Sequence, residues 1–211
     1  EGGGLDPNDV GMATPGAIAG LEFLKSLVTD GIIPIGTDTG IAQGMFLEGK
    51  VGAIISGPWF LEEPRKLKAQ GKLNFGVSPL PPFADGGRPS PFSGVKGFWM
   101  SSYTNYPEEA QQLIEFMTSQ EAAFLIYSEK AQIPTRHDIM EMPEFQADED
   151  VYNFAVQGGY ATPMPNIPEM QAVWSNMADA ISLVINDDVD PALALEMAVE
   201  MIEEGIMEMQ R

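Results

Sequence analysis

Cysteine is absent from the 211 residues, histidine occurs once, and 11 lysines and arginines stand against 31 aspartates and glutamates. Each shortage excludes something. Without cysteine there is no disulfide framework, no thiolate nucleophile and no thiolate zinc site. That suits an exported chain, but cytosolic chains also lack cysteine. His137 is the sole imidazole, so a Ser-His-Asp triad would have to be built on it, and no Gly-x-Ser-x-Gly elbow is present; it reads as a surface or loop histidine. A formal charge of -20 argues against a phosphate-binding surface, so nucleic acid is not an expected partner. No apolar run approaches the roughly eighteen residues of a membrane-spanning helix. Glu1-Gly2-Gly3-Gly4 carries neither a basic nor an apolar targeting region, so any signal was removed or lay upstream. Gly-x-Gly-x-x-Gly and Walker-type lysine loops are missing, and Asp187-Asp188-Val189-Asp190 lacks the glycine and final glutamate of a calcium loop. That acidic run reads as a helix-capping turn, and no metal or cofactor is expected.

What is present is enough apolar sequence, 44%, for one large or two modest domains. Thr14-Pro15 is a capping pair for a helix with Ile18, Leu21, Leu24, Leu27 and Val28 on one face, closed by Gly31. Asp38 to Lys50 reads as a second helix. Val51 to Ile55, Leu73 to Val77 and Gly94 to Ser101 read as strands. Between the last two lies the tract Pro79 to Pro89, too rich in proline and glycine to continue a central strand, which reads as a linker or crossing and as a domain boundary. Helices are expected over 62–72, 107–117, 120–129 with Ala122, Leu125 and Ile126 inward, and 148–157. A final helix capped by Asp190-Pro191 carries Leu195, Val199, Ile202, Ile206 and Met209 on its apolar stripe. Most of the thirteen methionines fall on such stripes and read as core filler. The picture is α/β, with more helix than strand.

The most informative stretch is Ala161 to Trp174, where a proline-punctuated loop leads into an amphipathic helix. Pro168 fits the first helical position. Met170, Val173, Trp174, Met177, Ile181, Val184 and Ile185 then recur at helical spacing, which by periodicity alone makes Trp174 a core residue. The other reading is that its ring borders a pocket fixed by the loop. Trp59, after Gly57-Pro58, sits at a similar junction and reads either as a turn anchor or as an aromatic platform. Tryptophan faces flanked by polar groups suit a sugar, whose pyranose ring offers an apolar C–H face for stacking and hydroxyls for directed hydrogen bonds. Adjacent carboxylates, such as Glu62 with Glu63 and Glu203 with Glu204, read as solvated helix faces in so acidic a chain.

The unit Ala42-x-x-x-Phe46-x-x-Gly49-Lys50-Val51-x-Ala53-x-x-x-Gly57-Pro58-Trp59 resembles the extracellular solute-binding proteins of sugar ABC transporters. Met164-Pro165-Asn166-Ile167-Pro168-Glu169-Met170 with Trp174 is similar to the maltose/maltodextrin-binding proteins, and the likeness continues through 77–81, 91–95 and the final helices. It implies an α/β, type II periplasmic-binding-protein-like fold with two lobes, hinge closure on sugar, and a chain that corresponds to the C-terminal half. Residues 1–80 and 151–211 would then belong to the C-terminal lobe, and 81–150 would complete the N-terminal lobe. The partners implied are a maltose- or maltotriose-class oligosaccharide, the missing N-terminal half and the permease subunits. The location implied is periplasmic or extracellular, with any lipid anchor in the missing part.

Carried over by position, Trp59 and Trp174 are stacking platforms and Met164 an apolar contact at the pocket wall. Thr39 and Ser175 stand where well-known maltose binders have tyrosines, and Ala178 where an arginine is expected. The two hydroxyls still bond sugar directly or through water. The resulting expectation is a receptor rather than an enzyme. Two alternatives stay open: a secreted glycan hydrolase, which needs two carboxylates about 5 to 10 Å apart across the pocket, and an engineered or proteolytic half that serves to pair with its complement.

Overall fold

The computed structural model describes residues 6–7, 9–84 and 86–210; the N-terminal Glu1–Gly4 stretch and Asp85 of the proline-rich tract lie outside the described residues. The chain forms two compact units, one from Glu1–Ile41 with Pro165–Arg211 and the other from Ala42–Met164.

The first unit is helical. Thr14 accepts a hydrogen bond from the Ala17 amide and Pro15 follows it, so α1 (Pro15–Thr29) starts where a cap and a proline coincide. A 3-10 turn at Pro168–Met170 runs into α9 (Gln171–Asn186). Asp190 then caps α10 (Pro191–Met209), its Oδ1 accepting from the Ala192 and Leu193 amides at 3.0 and 3.1 Å. The acidic run is thus a capping turn; Asp188 takes φ +58° and its carboxylate meets Lys25 at 2.6 Å, which holds its pKa below the usual value. Leu21, Ala180, Val184, Ala194, Leu195 and Ala198 form one buried cluster, and Ala172, Ile202 and Ile206 another. Helices α9 and α10 approach closely because Gly205 has no side chain: a Cβ there would lie 3.2 Å from the Ala172 Cβ.

The second unit begins within α2 (Thr39–Leu47) and carries α3 (Glu62–Ala69), β1 (Phe92–Ser93), α4 (Pro107–Met117), α5 (Gln120–Lys130), α6 (His137–Met140), α7 (Pro143–Ala147), α8 (Glu149–Gly158) and β2 (Thr162–Pro163). Its core joins Leu61, Tyr127, Ala131, Ile139, Phe145 and Val151, with rings of Tyr127 and Phe145 edge to face at 5.3 Å. Arg65 of α3 ties this core to α8, pairing with Asp148 and, at 3.2 Å, with Asp150. Tyr127 donates to the Glu144 carbonyl, with Asp148 at 3.4 Å, and burial followed by the Asp148 charge pushes its pKa up.

Several sequence expectations are corrected. Residues 51–55, 73–77 and 94–101 form no strands among the described residues, whose only sheet is the parallel β1–β2 pair. A strand exists through its neighbour, and β-propensity alone supplies no ladder. Leu125 is exposed and Tyr127 takes the inward place on α5. Methionine is not mainly core filler: Met170 alone is buried among the described residues, while Met197, Met201, Met207 and Met209 face outward on α10. There Ala194, Leu195, Ala198, Ile202 and Ile206 occupy the inner face, and Met209 is not part of it. The short helices α6 and α7 have no counterpart in the expectation.

Candidate functional site

Trp59 is placed by what surrounds it in sequence. Pro58 opens a 3-10 turn, Pro58–Phe60, closed by the Phe60 amide on the Gly57 carbonyl at 3.0 Å. Phe60 packs on Phe46 of α2, ring centroids 6.2 Å apart, and Leu61 is buried in the core. With both successors anchored, the Trp59 ring is directed outward and is 69% exposed. It lies back over Gly57, where a Cβ would come within 2.3 Å of the indole. Glycine at 57 is therefore a condition of that ring position, and the turn-anchor role falls to Phe60.

Met164 comes directly after the only ladder among the described residues. The Thr162 amide donates to Pro91 O at 2.9 Å and the Met164 amide to Ser93 O at 3.1 Å, so the Met164 backbone is fixed by β1 while its side chain is part-exposed. Trp59 and Met164 both belong to the second unit.

The other three residues belong to the first. Asp38 Oδ1 accepts from the Ile41 amide at 2.8 Å, which starts α2 and sets exposed Thr39 at its first position. Trp174 lies in the first turn of α9, is 49% exposed and joins neither apolar cluster of its unit. The buried face of α9 runs through Ala172, Ala180 and Val184, which leaves Trp174 and Ile181 on its flank. Ser175, one residue and about 100° further round the helix, faces an open groove of about 470 Å³ shared with Asn176, Met201, Glu204 and Glu208. Ala178 lines a second groove, of about 240 Å³, with Leu24, Val28, Ile33 and Ile181.

None of these five side chains ionises near neutrality. The displaced pKa values belong to groups elsewhere, among them Lys66, raised to about 12 by Glu63 and Glu62, and the Arg136–Asp138 pair. His137 opens α6 as an exposed residue beside that pair. No group of three or more metal-ligating side chains occurs among the described residues, and none of their helices is long and apolar enough to cross a membrane. The second unit brings an aromatic face and a thioether, and the first unit an aromatic face and two hydroxyls, each set suited to stacking or hydrogen bonding. The sequence reading missed the Phe46–Phe60 anchor and the Ser93–Met164 hydrogen bond, both contacts between distant residues that local pattern does not signal.

Known proteins are similar to this chain in sequence and in fold. The galactooligosaccharide-binding protein of Bacillus subtilis is 30% identical over 202 residues, 94% of this chain and 47% of that protein. The maltodextrin-binding protein of the same organism is 30% identical over 209 residues, 97% of this chain and 49% of its own length. A crystal structure of a cyclo/maltodextrin-binding protein with maltotetraose matches at a TM-score of 0.85 and 35% identity, covering 98% of this chain and 52% of that one. The fold class is that of the type II periplasmic sugar-binding proteins, and the chain spans about half the length of the relatives it matches. The sequence model of the bacterial extracellular solute-binding proteins matches residues 2–155, and the chain belongs to that family.

Proposed function

We propose that this chain is the C-terminal half of a receptor that binds a maltodextrin-type oligosaccharide and delivers it to an ABC transporter. The observation that carries the proposal is the Trp59 ring, held outward over Gly57 by a turn whose next two side chains are both anchored. A rigid aromatic face costs little entropy when a sugar ring settles on it. Trp174 offers a second face and Met164 an apolar wall; Thr39 and Ser175 offer hydroxyls. In the whole protein, residues 1–80 and 151–211 contribute to the C-terminal lobe and 81–150 to the N-terminal lobe, sugar closes the lobes about a hinge, and the closed form engages the permease subunits. The complementary N-terminal half is the chain's partner, and the complete protein works outside the cytoplasmic membrane.

The relatives' names divide between galacto- and malto-oligosaccharides. Maltodextrin is favoured here because the similarity of the 164–170 loop with Trp174 is to maltodextrin binders in particular. The test is calorimetric titration of the complete protein with maltose, maltotriose and a galactooligosaccharide. Saturable heat with maltotriose, strongly weakened in Trp174→Ala, is expected. Binding confined to the galactooligosaccharide would refute the sugar class, and conversion of maltotriose to shorter products would refute the receptor role.

A further inference from the structure

Helix α8 grips the proline-rich tract through its side chains. Asn153 Nδ2 donates to Val77 O at 2.9 Å. One turn later Gln157 Oε1 accepts from the Leu80 amide at 2.8 Å, and the same side chain's Nε2 donates to Pro89 O at 3.2 Å. A primary amide carries the acceptor and the donor on separate atoms, which lets it do both at once. Gln157 thus bridges the two ends of a segment whose described residues hold no helix or strand, the Phe83 amide meeting Gly87 O at 2.8 Å.

That bridge flanks the β1–β2 ladder. Pro89 lies three residues before β1, and Gln157 itself lies five residues before β2, so both strands are measured from one side chain. A parallel pair with two residues on each side is too short to hold its own register. Register comes from contacts flanking it: Ser90 and Thr162 hydroxyls at 2.7 Å, the Arg88 guanidinium 4.6 Å from the Tyr160 ring centroid, and the Gln157 bridge. The ladder ends with the Met164 amide on Ser93 O.

We propose that Gln157 is a positioning residue for sugar binding, which sets Met164 at the pocket wall by fixing the register of β1 on β2. The proposal rests on the sugar-receptor reading for its effect on affinity, though not for its effect on the backbone.

The experiment uses the complete protein with Gln157→Ala and Gln157→Glu, the latter keeping the acceptor for Leu80 while losing the donor to Pro89. Hydrogen exchange is read at the Met164 amide, whose acceptor Gln157 does not touch, and maltotriose affinity is read by calorimetry. Gln157→Ala is expected to speed Met164 exchange about tenfold and to weaken maltotriose roughly 2- to 12-fold, the cost of ordering one loose group on binding, with Gln157→Glu between it and the parent. In a Met164→Ala background the same substitution is expected to lose most of its effect on affinity, whereas its effect adds in full to that of Trp174→Ala. Unchanged Met164 exchange in both variants overturns the proposal, and so does an affinity loss that persists undiminished beside Met164→Ala. Were the parent protein not to bind maltotriose, the receptor reading would fall, and the exchange rates would still decide whether Gln157 sets the ladder.

Discussion

Gly57→Ala isolates the part played by the Trp59 ring. The Gly57 backbone, φ −132° and ψ 178°, is a conformation any residue adopts, so alanine brings no backbone strain. Its methyl would instead lie 2.3 Å from the indole carbons, and the exposed ring is the part that can yield. Moving it costs about 0.5–1.5 kcal/mol in rotamer energy, while replacing glycine returns about 0.4–1 kcal/mol through the unfolded chain. Stability is therefore expected to change by less than about 1 kcal/mol. Affinity is a different matter. One indole face offers on the order of 100 Å² of apolar area, worth about 2.5 kcal/mol at 25 cal/mol per Å², or roughly sixtyfold in affinity as an upper bound. Trp59→Ala is expected to lose most of that, and Gly57→Ala, which displaces the ring without deleting it, about tenfold. Calorimetry with maltotriose and urea denaturation of the complete protein read the two effects separately. Wild-type affinity in both variants would refute the platform role; a stability loss above about 3 kcal/mol in Gly57→Ala would show that the ring is a packing anchor.

Arg65→Ala leaves Asp148 and Asp150, with side chains only 21% and 16% exposed, without their cation; it is expected to cost about 2–4 kcal/mol by urea midpoint, and adding Asp150→Asn should recover part of that. Tyr127 has its folded pKa raised above 10, so the stability it confers is complete below pH 10 and is lost as pH rises through the folded value. The denaturation midpoint of the parent should therefore fall more between about pH 9 and about pH 11 than that of Tyr127→Phe, which at neutral pH is expected to be about 1–2 kcal/mol less stable for loss of the hydroxyl's hydrogen bonding. Asp190→Ala removes the cap of α10 and is expected to cost about 1 kcal/mol, with Asp190→Asn nearly neutral.

The helices were legible because proline and capping residues mark their starts. Thr14-Pro15, Pro107 and Asp190-Pro191 each open a helix where the sequence places one. Strands were not, because Val51 to Ile55 and Leu73 to Val77 have the composition of strands but no partner among the described residues, and strand propensity cannot report whether a partner is in the chain. On α9 the periodicity made Trp174 core, yet the buried face turns about Ala180 and Val184 and leaves the ring on its flank. A stripe defined by large side chains overlooked the small ones that make the closest contacts. The polar ties are long-range: Arg65 is 83 residues from Asp148, and Gln157 is 77 from Leu80. No local pattern announces such pairs, and so the bridge behind Met164 became visible only in the folded chain.

Whether these aromatic faces hold a sugar is decided by titrating the complete protein, and its Trp174→Ala variant, with maltotriose in a calorimeter. Saturable one-site heat is expected for the parent, weakened at least tenfold in the variant, a loss of about 1.4 kcal/mol or more, with folding intact. Equal affinity in the two proteins, accompanied by a loss of stability in the variant, would make Trp174 a packing residue and leave the sugar without its platform.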